Sequence, residues 1–214
     1  MAIAKAYIFD LDGTLIDSCG DILASKLRVL DSMGIERPDT EHLGSMNGMR
    51  LEDTFILSTG IDDAAIQREA IALYHPYFLE ATLSSLRLFP GVVETLVALR
   101  RGGAKIGITS MRLARDLDVI VRAAGFDRLV DAWISEYAVP NPKPAPDMLL
   151  YLMKLFDVAP EDTILVGDTV YDLEMARYAS VRAIGFSLGA QSARMLATRR
   201  PYAIVDNFPA LLDL

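Results

Sequence analysis

Four short segments of the 214-residue chain bring together side chains able to do chemistry. The first is Phe9-Asp10-Leu11-Asp12-Gly13-Thr14, which closes an apolar run starting at Ala4. In extended backbone, residues two apart point to the same side, so Asp10 and Asp12 leave the end of that run together. Gly13 permits a tight turn after them. The second segment, Ile108-Thr109-Ser110, ends another apolar run in two hydroxyls. The third, Pro142-Lys143-Pro144-Ala145-Pro146-Asp147, is a proline-stiffened loop holding one lysine. In the fourth, Leu165-Val166-Gly167-Asp168-Thr169-Val170-Tyr171-Asp172, Asp168 stands at a strand end and Asp172 one helical turn later, on the same face.

The elements needed to position these groups are legible as well. Short apolar runs at Ala4–Phe9, Ala104–Ile108, Ala132–Ile134, Thr163–Val166, Arg182–Phe186 and Ala203–Val205 read as buried strands. Helical spacing lies between them at Val92–Arg101, Arg112–Ala124, Pro146–Phe156 and Thr169–Ala179. Apolar strands alternating with helices predict an α/β fold, a Rossmann-like parallel sheet flanked by helices on both faces. Gly102-Gly103 and Gly125 suit helix ends, and Pro146 suits a first helical turn. Residues 16–88 break the rhythm with helical patterns only (Asp21–Met33, Leu51–Ser58, Asp62–Leu83), and Ser18 with Asp21 suggests a capping box opening the first of them. The expected organisation is a core from residues 1–15 and 89–214, with an all-helical insertion over 16–88.

The four segments, in this order and spacing, resemble the haloacid dehalogenase superfamily, in particular its phosphatase branch with a helical cap inserted after the first motif. Phosphoglycolate phosphatase-like and beta-phosphoglucomutase-like members are similar in length and cap position. Ser110, where asparagine is frequent, and Met111 after it depart from the commonest pattern. The resemblance implies a Mg²⁺-dependent hydrolase of small phosphate monoesters. Asp10 would be the nucleophile that becomes an aspartyl-phosphate, and Asp12 the acid and base. Thr109, Ser110 and Lys143 would hold the phosphoryl group. Asp10, Asp168, Asp172 and the Asp12 carbonyl would hold the metal. Electrostatics agrees: carboxylates about 4 Å apart repel by roughly 4 kcal/mol per pair at an effective dielectric near 20. A hard cation such as Mg²⁺ removes that penalty.

Other readings stand beside this one. Asp-x-Asp-Gly taken alone is often an acidic turn, and Gly-Asp at a strand–helix junction often a cap formed by Asp168 or Thr169. Asp172 argues for more than capping. A dehalogenase proper has no need of Asp12. A phosphomutase would use the same core motifs, and a phosphoacceptor signalling domain would combine similar residues in about half this length. In the insertion, Gly44-Ser45-Met46-Asn47-Gly48-Met49-Arg50 is the expected contact with the leaving group, through Asn47 and Arg50; the plainer alternative is a turn followed by an exposed helix start. Asp17 fits equally a residue of the site or the start of the insertion.

Composition bounds the setting. Apolar residues at 52% provide for a packed core, and a net charge of −8 argues against nucleic acid and anionic membrane as partners without forbidding the small phosphorylated metabolite that the resemblance implies. His42 and His75 are isolated from each other and from cysteine, so a zinc site is not expected. One cysteine, Cys19, no signal-peptide pattern and no run of about 18 apolar residues lead to the expectation of a cytoplasmic protein, a monomer or weak dimer.

Overall fold

The computed structural model describes residues 4–214 as two compact units. One spans Ser18–Leu86 and the other combines the chain up to Asp17 with Arg87–Leu214. The smaller unit is helical: α1 (Cys19–Ser32), α2 (Thr40–Ser45), α3 (Leu51–Thr59) and α4 (Ala64–Ser85). Its core gathers Val29 and Leu30 of α1, Phe55 of α3, and Ala70, Tyr74 and Phe78 of α4. Asp39 and Asp63 cap α2 and α4 by accepting backbone N–H groups of the first turn. The capping box expected at Ser18 does not form. Ser18 precedes α1 without a side-chain cap bond, and the Asp21 carboxylate instead accepts the Ser85 hydroxyl at 2.8 Å, tying α1 to the end of α4. Asp21 sits at the third helical position, where a short carboxylate has a competing partner across the bundle.

The larger unit is a six-stranded sheet in the order β3-β2-β1-β4-β5-β6, with every neighbouring pair parallel. Its strands are β1 (Ala6–Asp10), β2 (Lys105–Ser110), β3 (Ala132–Ser135), β4 (Thr163–Gly167), β5 (Arg182–Phe186) and β6 (Ala203–Val205). Its helices are α5 (Val92–Arg101), α6 (Ala114–Ala123), α7 (Asp147–Phe156), α8 (Val170–Tyr178) and the short α9 (Ala193–Ala197). β1 and β4 are buried along their whole length, as a parallel sheet covered on both faces requires. Alternation along β1 decides what each face carries. Ile8 packs with Leu165 of β4 and with Met148, Leu149 and Leu152 of α7. Tyr7 and Phe9 turn the other way, where Phe9 meets Phe208 and Phe208 meets Phe186.

The chain order reverses at β1, whose neighbours are β2 on one side and β4 on the other. Ligands of open α/β sheets bind beyond the strand carboxyl ends at such a switch point. Within this unit the two passages of chain that flank the helical segment run side by side. Ile16 pairs with Leu88, the Asp17 N–H donates to the Arg87 carbonyl at 2.8 Å, and the Arg87 and Asp17 side chains stand 3.6 Å apart. Asp17 therefore belongs to the crossing, and its exposed ion pair adds little stability. Among the described residues no helix is long and apolar enough to cross a membrane.

Candidate active site

β1 delivers Asp10 at its last residue, in register with Thr109 of β2. After β1 the N–H groups of Thr14, Leu15 and Ile16 converge on the Leu11 carbonyl at 3.3, 2.9 and 3.0 Å, a tight loop that holds Asp12 beside the strand end. Gly13 makes this loop possible in two ways. Its φ of +83° disfavours any side chain, and a Cβ there would collide with Asp168 Oδ2. The backbone thus approaches the second carboxylate as closely as only glycine allows.

Asp168 follows β4 and is fully buried. The Thr14 hydroxyl donates to its Oδ1 at 2.8 Å and the Ala190 N–H to its Oδ2 at 2.7 Å. Asp172, in the first turn of α8, is reciprocally bonded to Thr169: its N–H reaches the Thr169 hydroxyl, and its Oδ2 accepts from the Thr169 N–H and hydroxyl. This is a capping box, so the cap does employ this second carboxylate, and Asp172 does more besides, as expected. Only Oδ2 serves the cap; Oδ1 accepts from Lys143 at 2.6 Å.

Lys143 is the bridge. Its buried ammonium donates to Asp10 Oδ1 as well as to Asp172. Burial alone would lower the lysine's pKa, but Asp10 and Asp172 outweigh it and hold the amine above its ordinary value. The carboxylates show the opposite strain. Burial pushes Asp10 well above the usual range, only partly relieved by Lys143 and worsened by Asp172 and Asp168. Burial and then Asp172 push Asp168 up to about 7 against the pull of Ala190, Thr14 and Lys143. One lysine does not balance three buried carboxylates.

Asp10, Asp168 and Asp172 each offer an oxygen within 4.8 Å of the others. An all-oxygen donor set with surplus negative charge fits a hard divalent cation. The Asp12 carboxylate is not part of that set. It is held by Arg112, whose Nε and a terminal nitrogen donate to its two oxygens at 2.8 and 2.7 Å. Arg112, two positions beyond Ser110, was given no role in the site from the sequence, and neither were Thr14, the last residue of the first segment, or Ala190. The hydroxyls differ too. Thr109 is fully buried with Oγ1 3.5 Å from the Phe9 carbonyl, while Ser110 Oγ accepts the Arg112 N–H at 3.1 Å and turns the chain after β2. In the helical unit, Asn47 is buried and accepts from Lys26 at 3.0 Å; Arg50 is exposed, precedes α3, and stands 3.7 Å from Glu52.

Comparison with known proteins agrees with this arrangement. Residues 7–186 match the family of haloacid dehalogenase-like hydrolases. The chain belongs to that family. A probable phosphatase, IndB, of Dickeya dadantii is 32% identical over 205 residues, spanning 94% of this chain and 89% of its own length. Phosphoglycolate phosphatase 1 of Pseudomonas aeruginosa is 31% identical, covering 98% of this chain and 79% of its own. A haloacid dehalogenase-like hydrolase structure from Bacteroides fragilis superposes with a TM-score of 0.90 at 27% identity, over 97% of this chain and 99% of that one. This haloacid dehalogenase-like hydrolase thus carries its charged cluster at the sheet edge where the fold binds ligands.

Proposed function

We propose that the protein is a Mg²⁺-dependent phosphatase of small phosphate monoesters, working through an aspartyl-phosphate on Asp10. The observation that carries this reading is the buried cluster itself. Asp10, at the end of the strand where the sheet order reverses, is held by Lys143 and flanked by Asp168 and Asp172. Family membership and relatives named phosphatases support it.

Asp10, Asp168 and Asp172, with the Asp12 carbonyl, would hold Mg²⁺. When bound, the ion supplies positive charge to the transferring phosphoryl oxygens and offsets the repulsion among the carboxylates. Lys143 keeps Asp10 oriented through Oδ1 and adds a fixed charge beside it. An Asp10 oxygen forms a bond to phosphorus as the bond to the leaving oxygen breaks, and Asp12 gives a proton to that oxygen. Asp12 then takes a proton from the water that attacks phosphorus, which releases inorganic phosphate and restores Asp10. Thr109 and Ser110, at the end of β2, complete the phosphoryl contacts in this reading. The helical unit acts as a cap that chooses the leaving group, with Asn47 and Arg50 as its candidate contacts. The single cysteine suits work in the cytoplasm.

The test is a panel of phosphoglycolate, hexose phosphates and nucleoside monophosphates assayed for phosphate release with Mg²⁺. Turnover that chelation abolishes is expected for at least one member. Release no faster than that of Asp10→Asn for every member would contradict the reading. Isomerised hexose phosphate without phosphate release would move the assignment to a mutase.

A further inference from the structure

Three cations are buried among the described residues: Lys26 in the helical unit, and Lys143 and Arg112 in the sheet unit. Lys143 belongs to the cluster around Asp10, but nothing in the chemistry above uses Arg112. We propose that Arg112 is a positioning residue for Asp12, fixing the direction in which that carboxyl meets the leaving oxygen. The inference rests on the phosphatase reading of the site.

The geometry is that of a mounted fork. Asp12 lies in a loop after β1 and is the most exposed of the site carboxyls, with 14% of its side chain accessible against 10% for Asp10 and 1% for Asp172. An aspartate in a loop can rotate about its Cα–Cβ bond, and an acid that wanders by about 1 Å loses much of its catalytic worth. Arg112 removes that freedom with two parallel N–H bonds to the two oxygens, a planar match that lysine cannot make. The guanidinium is itself held, since only 3% of the Arg112 side chain is accessible. Its backbone is pinned on both sides: the N–H by the Ser110 hydroxyl at 3.1 Å, and the carbonyl by the Ser135 hydroxyl at 2.5 Å. Ser110 and Ser135 are register partners on β2 and β3, so the mount is part of the sheet. The orientation of Asp12 is thereby tied to strands about a hundred residues away in the chain.

A lost orientation costs most where the leaving oxygen needs its proton. The rate of the first chemical step is therefore measured in single-turnover reactions, with an alkyl phosphate and with a nitrophenyl phosphate, whose good leaving group departs unaided. Arg112→Lys keeps the charge but not the fork. Its alkyl phosphate rate should fall at least about 30-fold, or about 2 kcal/mol, the worth of a charged hydrogen bond. The nitrophenyl rate should change less than about threefold, with KM unchanged for both. Ser135→Ala, which loosens only the mount, should show the same selective loss in smaller degree, and it carries the test if Arg112→Lys does not fold. Equal losses for both substrates, or none, would overturn the positioning role. A parent inactive toward both would overturn the phosphatase reading, and this inference with it.

Discussion

Replacing Lys143 by methionine removes the cation that touches Asp10 and Asp172 while keeping most of the side-chain volume. Deleting one partner of a buried ion pair costs about 3–5 kcal/mol, because the remaining charge stays buried without compensation. Here two carboxylates are abandoned at once, and the influence that draws Asp10 and Asp168 down disappears with the lysine. The penalty exists only while the carboxyls are ionised. Burial already holds Asp10 above its ordinary range, so lowering the pH withdraws charge from the cluster earlier than from free carboxyls and part of the loss vanishes. Urea unfolding of the metal-free parent and Lys143→Met is the assay. The variant should be about 3–5 kcal/mol less stable at about pH 8, and less than half of that at about pH 5. A loss below about 1 kcal/mol at the higher pH, or an equal loss at both, would refute the picture of a lysine neutralising a buried cluster.

The metal-free fold should also respond to pH on its own. Asp168, pushed up to about 7, has a folded value above that of a free carboxyl, so its stabilisation is full below about pH 4 and is lost as the pH rises through 7. The rise in Tm caused by Mg²⁺ should therefore grow from about pH 5 to about pH 8, reaching about 2.7 kcal/mol of stabilisation at a hundredfold excess over Kd; a pH-independent rise, or none, would count against the site. Gly13→Ala should cost about 1–3 kcal/mol of stability from the positive φ alone, and should raise the Mg²⁺ requirement because the new methyl collides with Asp168; thermal unfolding and metal titration of activity check both. Asp12→Asn should slow formation of the phosphorylated enzyme from alkyl phosphates by about 100-fold or more, with much less effect on aryl phosphates, in single-turnover kinetics. Arg50→Ala should lower kcat/KM for a specific substrate at least about tenfold and leave a generic aryl phosphate nearly unchanged; parallel losses would shift specificity elsewhere in the helical unit.

The strands were readable because each is a short apolar run that must lie in a covered parallel sheet, and three of those runs end in the residues of the candidate site or just before them. Asp10 and Asp168 follow from their places at strand ends. The short helices were not readable: α2 buries one residue, Leu43, and α9 one, Leu196, so neither shows an apolar stripe. The start of α6 at Ala114, where spacing suggested Arg112, has a local cause. Ser110 takes the Arg112 N–H and turns the backbone before the helix begins. The pairing of Arg112 with Asp12 depends on β1 and β2 lying side by side, a contact across a hundred positions that no local pattern records. Asp172 shows the reverse difficulty. One residue serves both a capping box and the lysine bridge, and spacing alone suggests a choice between them.

The central claim is that Asp10 itself accepts the phosphoryl group. Acid quenching during turnover, followed by borohydride, reduces an acyl-phosphate to an alcohol and so converts the modified aspartate to homoserine. Peptide mass spectrometry should find homoserine at residue 10 when substrate and Mg²⁺ are present, and none without substrate or in Asp10→Asn. Homoserine at another aspartate, or sustained turnover by Asp10→Asn, would contradict the account.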